Sequence, residues 1–163
     1  MVKNSKQNLI RILQNAHAGE LAAAYAYRGH WKSLKESAEK TEIKKIEAEE
    51  RAHRENVARW LAKLEAKPRR LREAIFWTIG RSLGVLCYVS GWFLPMYFAG
   101  RLESQNILEY EEAAHFAGEM KMKECVSEML EMSKKEAEHE LFFSRTVANH
   151  RLLPVTQKFF RWS

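Results

Sequence analysis

The stretch CVSEMLEMSKKEAEH, running from Cys125 to His139, decides how this chain folds. Cys125, Met129, Met132, Glu136 and His139 recur every three or four residues, and Phe143 and Val147 continue the series, so one helix carries them on a single stripe. A glutamate and a histidine therefore stand at positions where the stripe calls for apolar side chains. Burying a carboxylate is costly unless it is paired or bound to a metal. The Glu-x-x-His pair is thus a candidate site.

The same substitution recurs outward along the chain. Glu50 and His53 interrupt the stripe of Ile43, Ile46, Val57, Trp60 and Leu64, which ends before Pro68. Glu20 sits among Leu9, Leu13, Ala16, Ala24, Tyr27 and Trp31, and Glu103 among Ala99, Asn106, Tyr110, Ala113 and Ala117. The order is Glu, Glu-x-x-His, Glu, Glu-x-x-His. In ferritin-like carboxylate proteins, two helices each supply one Glu and two others a Glu-x-x-His pair, all directed inward to two metals. The sequence predicts an all-α, ferritin-like four-helix bundle with Glu20, Glu50, His53, Glu103, Glu136 and His139 as metal ligands. Its helices are expected from Ser5 to the mid-thirties, from an N-cap at Thr41 to before Pro68, from Pro95–Tyr97 to Gly118, and through the Cys125 stripe to near His150.

Composition agrees with this architecture. The chain has 163 residues, enough for one domain over 1–163, and its seven Gly and three Pro leave long helical runs uninterrupted. Cys87 and Cys125 supply neither a disulfide framework nor a thiolate metal site, which excludes a rubredoxin-type iron centre. The polar start, Met1 to Gln7, has no apolar core, so no secretory signal is expected. A net charge of +6 suits nucleic acid or an anionic membrane equally. The cations Lys67, Arg69, Arg70 and Arg72 cluster beside apolar sequence and form no nucleic-acid module, so a membrane partner is favoured and a nucleic acid is not.

That apolar sequence, residues 74–100, is interrupted only by Arg81. Ser82 to Gly100 is 19 uncharged residues, near the length of a span, but Gly84, Gly91 and Pro95 break it. A spanning helix, a buried core helix and a surface-lying helix or helix pair all fit the stretch. The last is favoured because the basic cluster can meet lipid phosphates. The tail, 151–163, with Phe159, Phe160, Arg161 and Trp162, offers a second membrane contact. A face this apolar also suggests self-association or a lipid-presenting partner.

Residues three apart on a helix project close together, so each Glu-x-x-His pair can give an oxygen and an imidazole to one metal. Four carboxylates balance two divalent ions. Mixed oxygen and nitrogen ligation with open positions suits iron or manganese, and two ferrous ions so held are suited to dioxygen. Glu112 and His115 share the spacing, but Glu112 is nine residues from Glu103 and on the opposite side of the helix, so this pair reads as solvated. Glu47, Glu49, Glu138 and Glu140 also read as surface charges, and His17 as support beside the site. Tyr27 and Tyr110 each follow a lone glutamate by seven residues, two turns and about 10 Å along the same face.

His17-Ala18-Gly19-Glu20 with Tyr27, Glu50-Arg51-Ala52-His53, Glu103-Ser104 with Tyr110, and Glu136-Ala137-Glu138-His139 together resemble the di-iron demethoxyubiquinone hydroxylases of ubiquinone biosynthesis. The resemblance implies a mono-oxygenase at a membrane surface that uses two irons and dioxygen to hydroxylate a quinone-like lipid; with no address in the sequence, that surface is expected to be the cytoplasmic face of the membrane. It implies Tyr110 as a catalytic residue near the substrate channel, and the apolar segment as entry for an isoprenoid tail. Glu109 stands where the family usually has histidine, and Lys134 where an acid is common. The alternatives are a ferritin-like protein that oxidises or stores iron, or scavenges peroxide, without an organic substrate, and a membrane scaffold without metal.

Overall fold

The computed structural model describes residues 2–162, which form six helices and, among those residues, no strand. The helices are α1 (Val2–Ser33), α2 (Ala38–Lys63), α3 (Arg70–Leu86), α4 (Phe93–Glu119), α5 (Lys123–Val147) and α6 (Leu153–Phe159). The four long ones, α1, α2, α4 and α5, carry the four stripes. α1 packs on α2 and α4, and α4 on α5.

Local chemistry moves several boundaries from where the stripes alone put them. α2 is capped by Ser37, whose hydroxyl accepts the Lys40 N–H at 3.2 Å from an extended backbone. Thr41 lies inside the first turn instead and donates to the Ser37 carbonyl. α4 begins at Phe93, which places Pro95 in a first turn, where its missing N–H leaves no bond unmade. The uncharged stretch 82–100 is divided among the end of α3, a turn containing Gly91 at φ +74, and the start of α4. No helix of the described residues is long and apolar enough to cross a membrane.

Two apolar clusters sandwich the midpoint of the bundle. One joins Leu9, Leu13, Val57, Trp60, Tyr110, Ala117, Cys125 and Met129. The other joins Ala23, Tyr27, Ile43, Ile46, Phe93, Tyr97, Phe143 and Val147. On every long helix the site residues lie between the two, so the acids sit where water is excluded from both ends.

α3 lies against α1, held by glycines and by charge. Gly29 of α1 meets the Gly84 backbone, and Gly80 of α3 meets the Ala22 backbone, so the two helices approach more closely than side chains would allow. Farther along, Glu73 accepts from Arg54 at 2.7 Å and pairs with His17 Nδ1 at 2.8 Å. The outer surface of α3 and of the turn after it remains apolar and exposed, with Leu71, Ile75, Trp77, Leu83, Val85, Tyr88 and Val89 facing outward. The tail is anchored to α4: Tyr97 donates to the Phe160 carbonyl, Arg101 to the Arg161 carbonyl at 2.7 Å, and the Trp162 ring covers Gly100. Val155, Phe159 and Phe160 stay exposed.

Candidate metal centre

The six sequence-derived residues converge from four helices. Donor atoms of Glu20, Glu50, His53 and Glu136 lie within 4.8 Å of one another, as do those of Glu50, Glu103, Glu136 and His139. The two sets share Glu50 and Glu136, the carboxylates of the two Glu-x-x-His pairs. Each pair also crosses to the other: His53 Nδ1 is 2.8 Å from Glu136 Oε1, and His139 Nδ1 is 3.2 Å from Glu50 Oε1. The lone glutamates close the two ends, as terminal ligands would.

All six are buried, Glu50, Glu103 and Glu136 completely. Yet both oxygens of Glu50, both of Glu136, one of Glu20 and the Nδ1 atoms of His53 and His139 have no hydrogen-bond partner. The short histidine-to-carboxylate separations are not aligned as N–H···O bonds. Lone pairs from both residue types point into one space, which is poor hydrogen bonding and good metal ligation. Buried polar groups are otherwise almost always paired, and oxygen with imidazole donors suits iron or manganese. The donor set therefore fits two divalent ions.

The electrostatics agree. Burial, then repulsion from neighbouring carboxylates, drives Glu50 and Glu103 well above the usual carboxylate range, and burial raises Glu20 as well. Burial would raise Glu136 too, but His139 and His53 outweigh it and hold that acid below its ordinary value. His53 is raised because Glu136 and Glu20 outweigh its desolvation. Without metal, Glu50 and Glu103 favour their protonated forms. Metal binding would release those protons.

The groups around the cluster are arranged in ways the stripes did not reveal. The tyrosines pair crosswise: Tyr27 donates to Glu103 of α4, and Tyr110 of α4 donates to Glu20 of α1. Sequence spacing measured only each tyrosine's distance from its own helix's glutamate. Asn106 also donates to Glu103, at 3.0 Å. Glu49 is not a surface charge: it meets His139 Nε2 at 2.8 Å, leaving Nδ1 for the cluster. The available signal was the demand of a ligating imidazole for an acceptor on its second nitrogen. Glu47 is buried too, accepting from Trp31 Nε1 at 2.6 Å and from Arg51. His17 turns to Glu73 and ties α1 to α3. Glu112 and His115 are exposed, His115 lying 3.6 Å from Glu119, and Glu138 is an exposed partner of Lys135.

An apolar cavity of about 300 Å³ opens between α1, α3 and α4. Ala23, Tyr27, His30, Leu83, Leu86, Leu94, Phe98 and Leu102 line it. Tyr27, through its bond to Glu103, connects the cavity wall to the cluster; Tyr110 is not part of that wall.

The family model described as ubiquinone biosynthesis protein COQ7 matches residues 7–112, about two thirds of the chain. The match includes Glu20, Glu50, His53 and Glu103 and stops short of Glu136 and His139, which the fold brings to the same cluster. No curated protein and no solved structure gives a significant match. With a family match of this extent over the residues of the buried cluster, the chain belongs to the COQ7 family of ubiquinone biosynthesis proteins.

Proposed function

We propose that the chain is a di-iron mono-oxygenase that hydroxylates a quinone-like lipid at a membrane surface, as a demethoxyubiquinone hydroxylase does, with Glu20, Glu50, His53, Glu103, Glu136 and His139 as iron ligands in a ferritin-like bundle. The observation that carries this reading is the overlap of two buried donor sets that share Glu50 and Glu136, whose four carboxylate oxygens all lack a hydrogen-bond partner. Glu20, Glu50, His53, Glu103, Glu136 and His139 would hold two ferrous ions, which would supply reducing equivalents to dioxygen. The overall reaction places one oxygen atom on the ring and releases the other as water, with two electrons from an external donor.

The chain's own residues serve that reaction in definable ways. Tyr27 and Tyr110 hold the terminal acids Glu103 and Glu20 by hydrogen bonds, so both carboxylates keep their orientation when the ring enters or leaves. Glu49 fixes the His139 ring. The apolar clusters on either side exclude water, which protects reactive oxygen chemistry from side reactions. The cavity receives the ring, with the isoprenoid tail passing Leu83, Leu86 and Phe98 toward the exposed face of α3. That face, with Lys67, Arg69 and Arg70 exposed at its start, rests on anionic lipid or on a lipid-presenting partner, and it can also pair with a second copy of the chain.

The apolar cavity beside Tyr27 favours an organic substrate over the oxidation or storage of iron alone. Oxygen uptake by iron-loaded protein on anionic vesicles, with a reductant and a quinone lacking one ring substituent, tests the choice. Uptake is expected to depend on the quinone and to yield a product heavier by one oxygen atom. Uptake driven by ferrous iron and indifferent to the quinone would select the iron-oxidising reading instead.

A further inference from the structure

Among the described residues, His30 is a titratable side chain deep in the bundle that belongs neither to the metal cluster nor to either apolar core cluster. It is 2% exposed, and its Nε2 has no hydrogen-bond partner. Such orphans are rare in protein interiors and call for an explanation. Its ring forms part of the cavity wall, three residues and one helical turn beyond Tyr27. The other polar side chains on that wall have spent their donors: Tyr27 on Glu103, Cys87 on the Leu83 carbonyl, and Ser90 on the Gly91 carbonyl. Desolvation pulls the His30 imidazole down to about 4, so at neutral pH it is uncharged and offers one donor and one acceptor.

We propose that His30 anchors the substrate by hydrogen bonding to a carbonyl or hydroxyl oxygen of a quinone or phenol ring seated in the cavity. This rests on the cavity being the substrate site of the hydroxylase proposed above, and it names the polar contact that site lacks. The cavity is at the lower end of the usual size for small-molecule sites, with room for one substituted ring and the start of a tail. Ligand sites of this kind are apolar with a few placed polar groups that set orientation. Because Tyr27 and His30 are successive on one face of α1, a ring held by His30 lies beside the side chain that connects the cavity to Glu103. The anchor therefore sets which edge of the ring is presented to the cluster. A purely apolar wall would bind the tail and leave the ring free to turn.

The test is titration calorimetry of the full chain with 2-decyl-1,4-benzoquinone and with decylbenzene, which has the same tail and no oxygens. Wild type is expected to prefer the quinone. His30→Leu, which keeps an apolar wall, should weaken quinone binding about tenfold while changing decylbenzene binding less than about twofold. His30→Gln, which restores a donor and acceptor, should recover most of the loss. Thermal unfolding of the His30→Leu chain no lower than wild type excludes misfolding as the cause, since the change removes an unpaired polar group. Equal quinone affinity in wild type and His30→Leu overturns the proposal, as does an equal loss of both probes. Metal content separates this inference from the hydroxylase reading: a wild-type chain that holds metal but binds neither probe sinks the anchor alone. Quinone preference without any metal sinks the di-iron reading and leaves the anchor standing.

Discussion

Replacing Gly29 by alanine should loosen α3 from α1, and the size of the effect follows from what the new methyl would meet. A Cβ at Gly29 would overlap the Cα, carbonyl carbon and oxygen of Gly84, all backbone atoms that no rotamer change can clear. Gly84 is itself confined, its own Cβ position lying 2.9 Å from the Tyr25 carbonyl oxygen. α3 must therefore move as a body. Overpacking of this kind costs about 1–3 kcal/mol, offset by about 1 kcal/mol of helix propensity gained on replacing glycine. A net loss of up to about 2 kcal/mol in a chain of this length lowers Tm by up to about 8 °C. Gly19→Ala is the matched control, because a Cβ there meets nothing within 4 Å. It gains the propensity alone and should raise Tm by about 2–4 °C. The assay is thermal unfolding of both variants and wild type, followed by circular dichroism at 222 nm (about the helix minimum). Two variants that both rise would refute the close seating of α3 on α1, and with it the wall of the cavity.

Burial, helped by Glu20 and Glu112, lifts Glu109 to about 7. A raised folded-state value means that its contribution to stability is complete below about pH 4.5 and is lost as pH climbs through about 7. In metal-free protein, Glu109→Gln should match wild type near pH 4.5 and exceed it by about 1–2 kcal/mol at pH 8, after discounting for partial exposure. A difference in urea stability that does not change with pH would contradict this. Glu49→Gln weakens the acceptor that orients His139 and should lower metal affinity about 10–100-fold in chelator competition. Glu138→Gln, on an exposed side chain, should leave affinity unchanged; an equal response of the two would remove Glu49 from the site.

Helical periodicity made the four stripes readable, and acids within a stripe are conspicuous because desolvation makes them rare there. That is why Glu20, Glu50, His53, Glu103, Glu136 and His139 could be found before any contact was known, and why Glu112, half a turn out of phase, could be set aside. Contacts between helices were not readable in this way. The Tyr27–Glu103 and Tyr110–Glu20 bonds depend on how α1 and α4 pair, and spacing along one helix carries no such information. Glu49 sits about 100° round α2 from Glu50, off the stripe, so only the second nitrogen of His139 gives it a role. His17 lies in phase with Glu20, but its ring meets Glu73 of α3, a carboxylate that Arg54 also holds. The uncharged run from Ser82 to Gly100 looks continuous in composition, whereas Gly91 at positive φ and Pro95 in a helix start divide it into two helices.

The claim on which the rest depends is that these buried acids hold two metals. Elemental analysis of protein purified from iron-supplied cells, as wild type, Glu136→Ala/His139→Ala, Glu103→Ala and Glu112→Ala, tests it directly. About two irons per chain are expected in wild type, as in the four-helix di-iron carboxylate proteins. The double variant and Glu103→Ala should lose most of that iron, and Glu112→Ala should keep it. A wild-type chain that holds no stoichiometric metal after anaerobic reconstitution with ferrous iron, or a loss of iron confined to Glu112→Ala, would contradict the assignment.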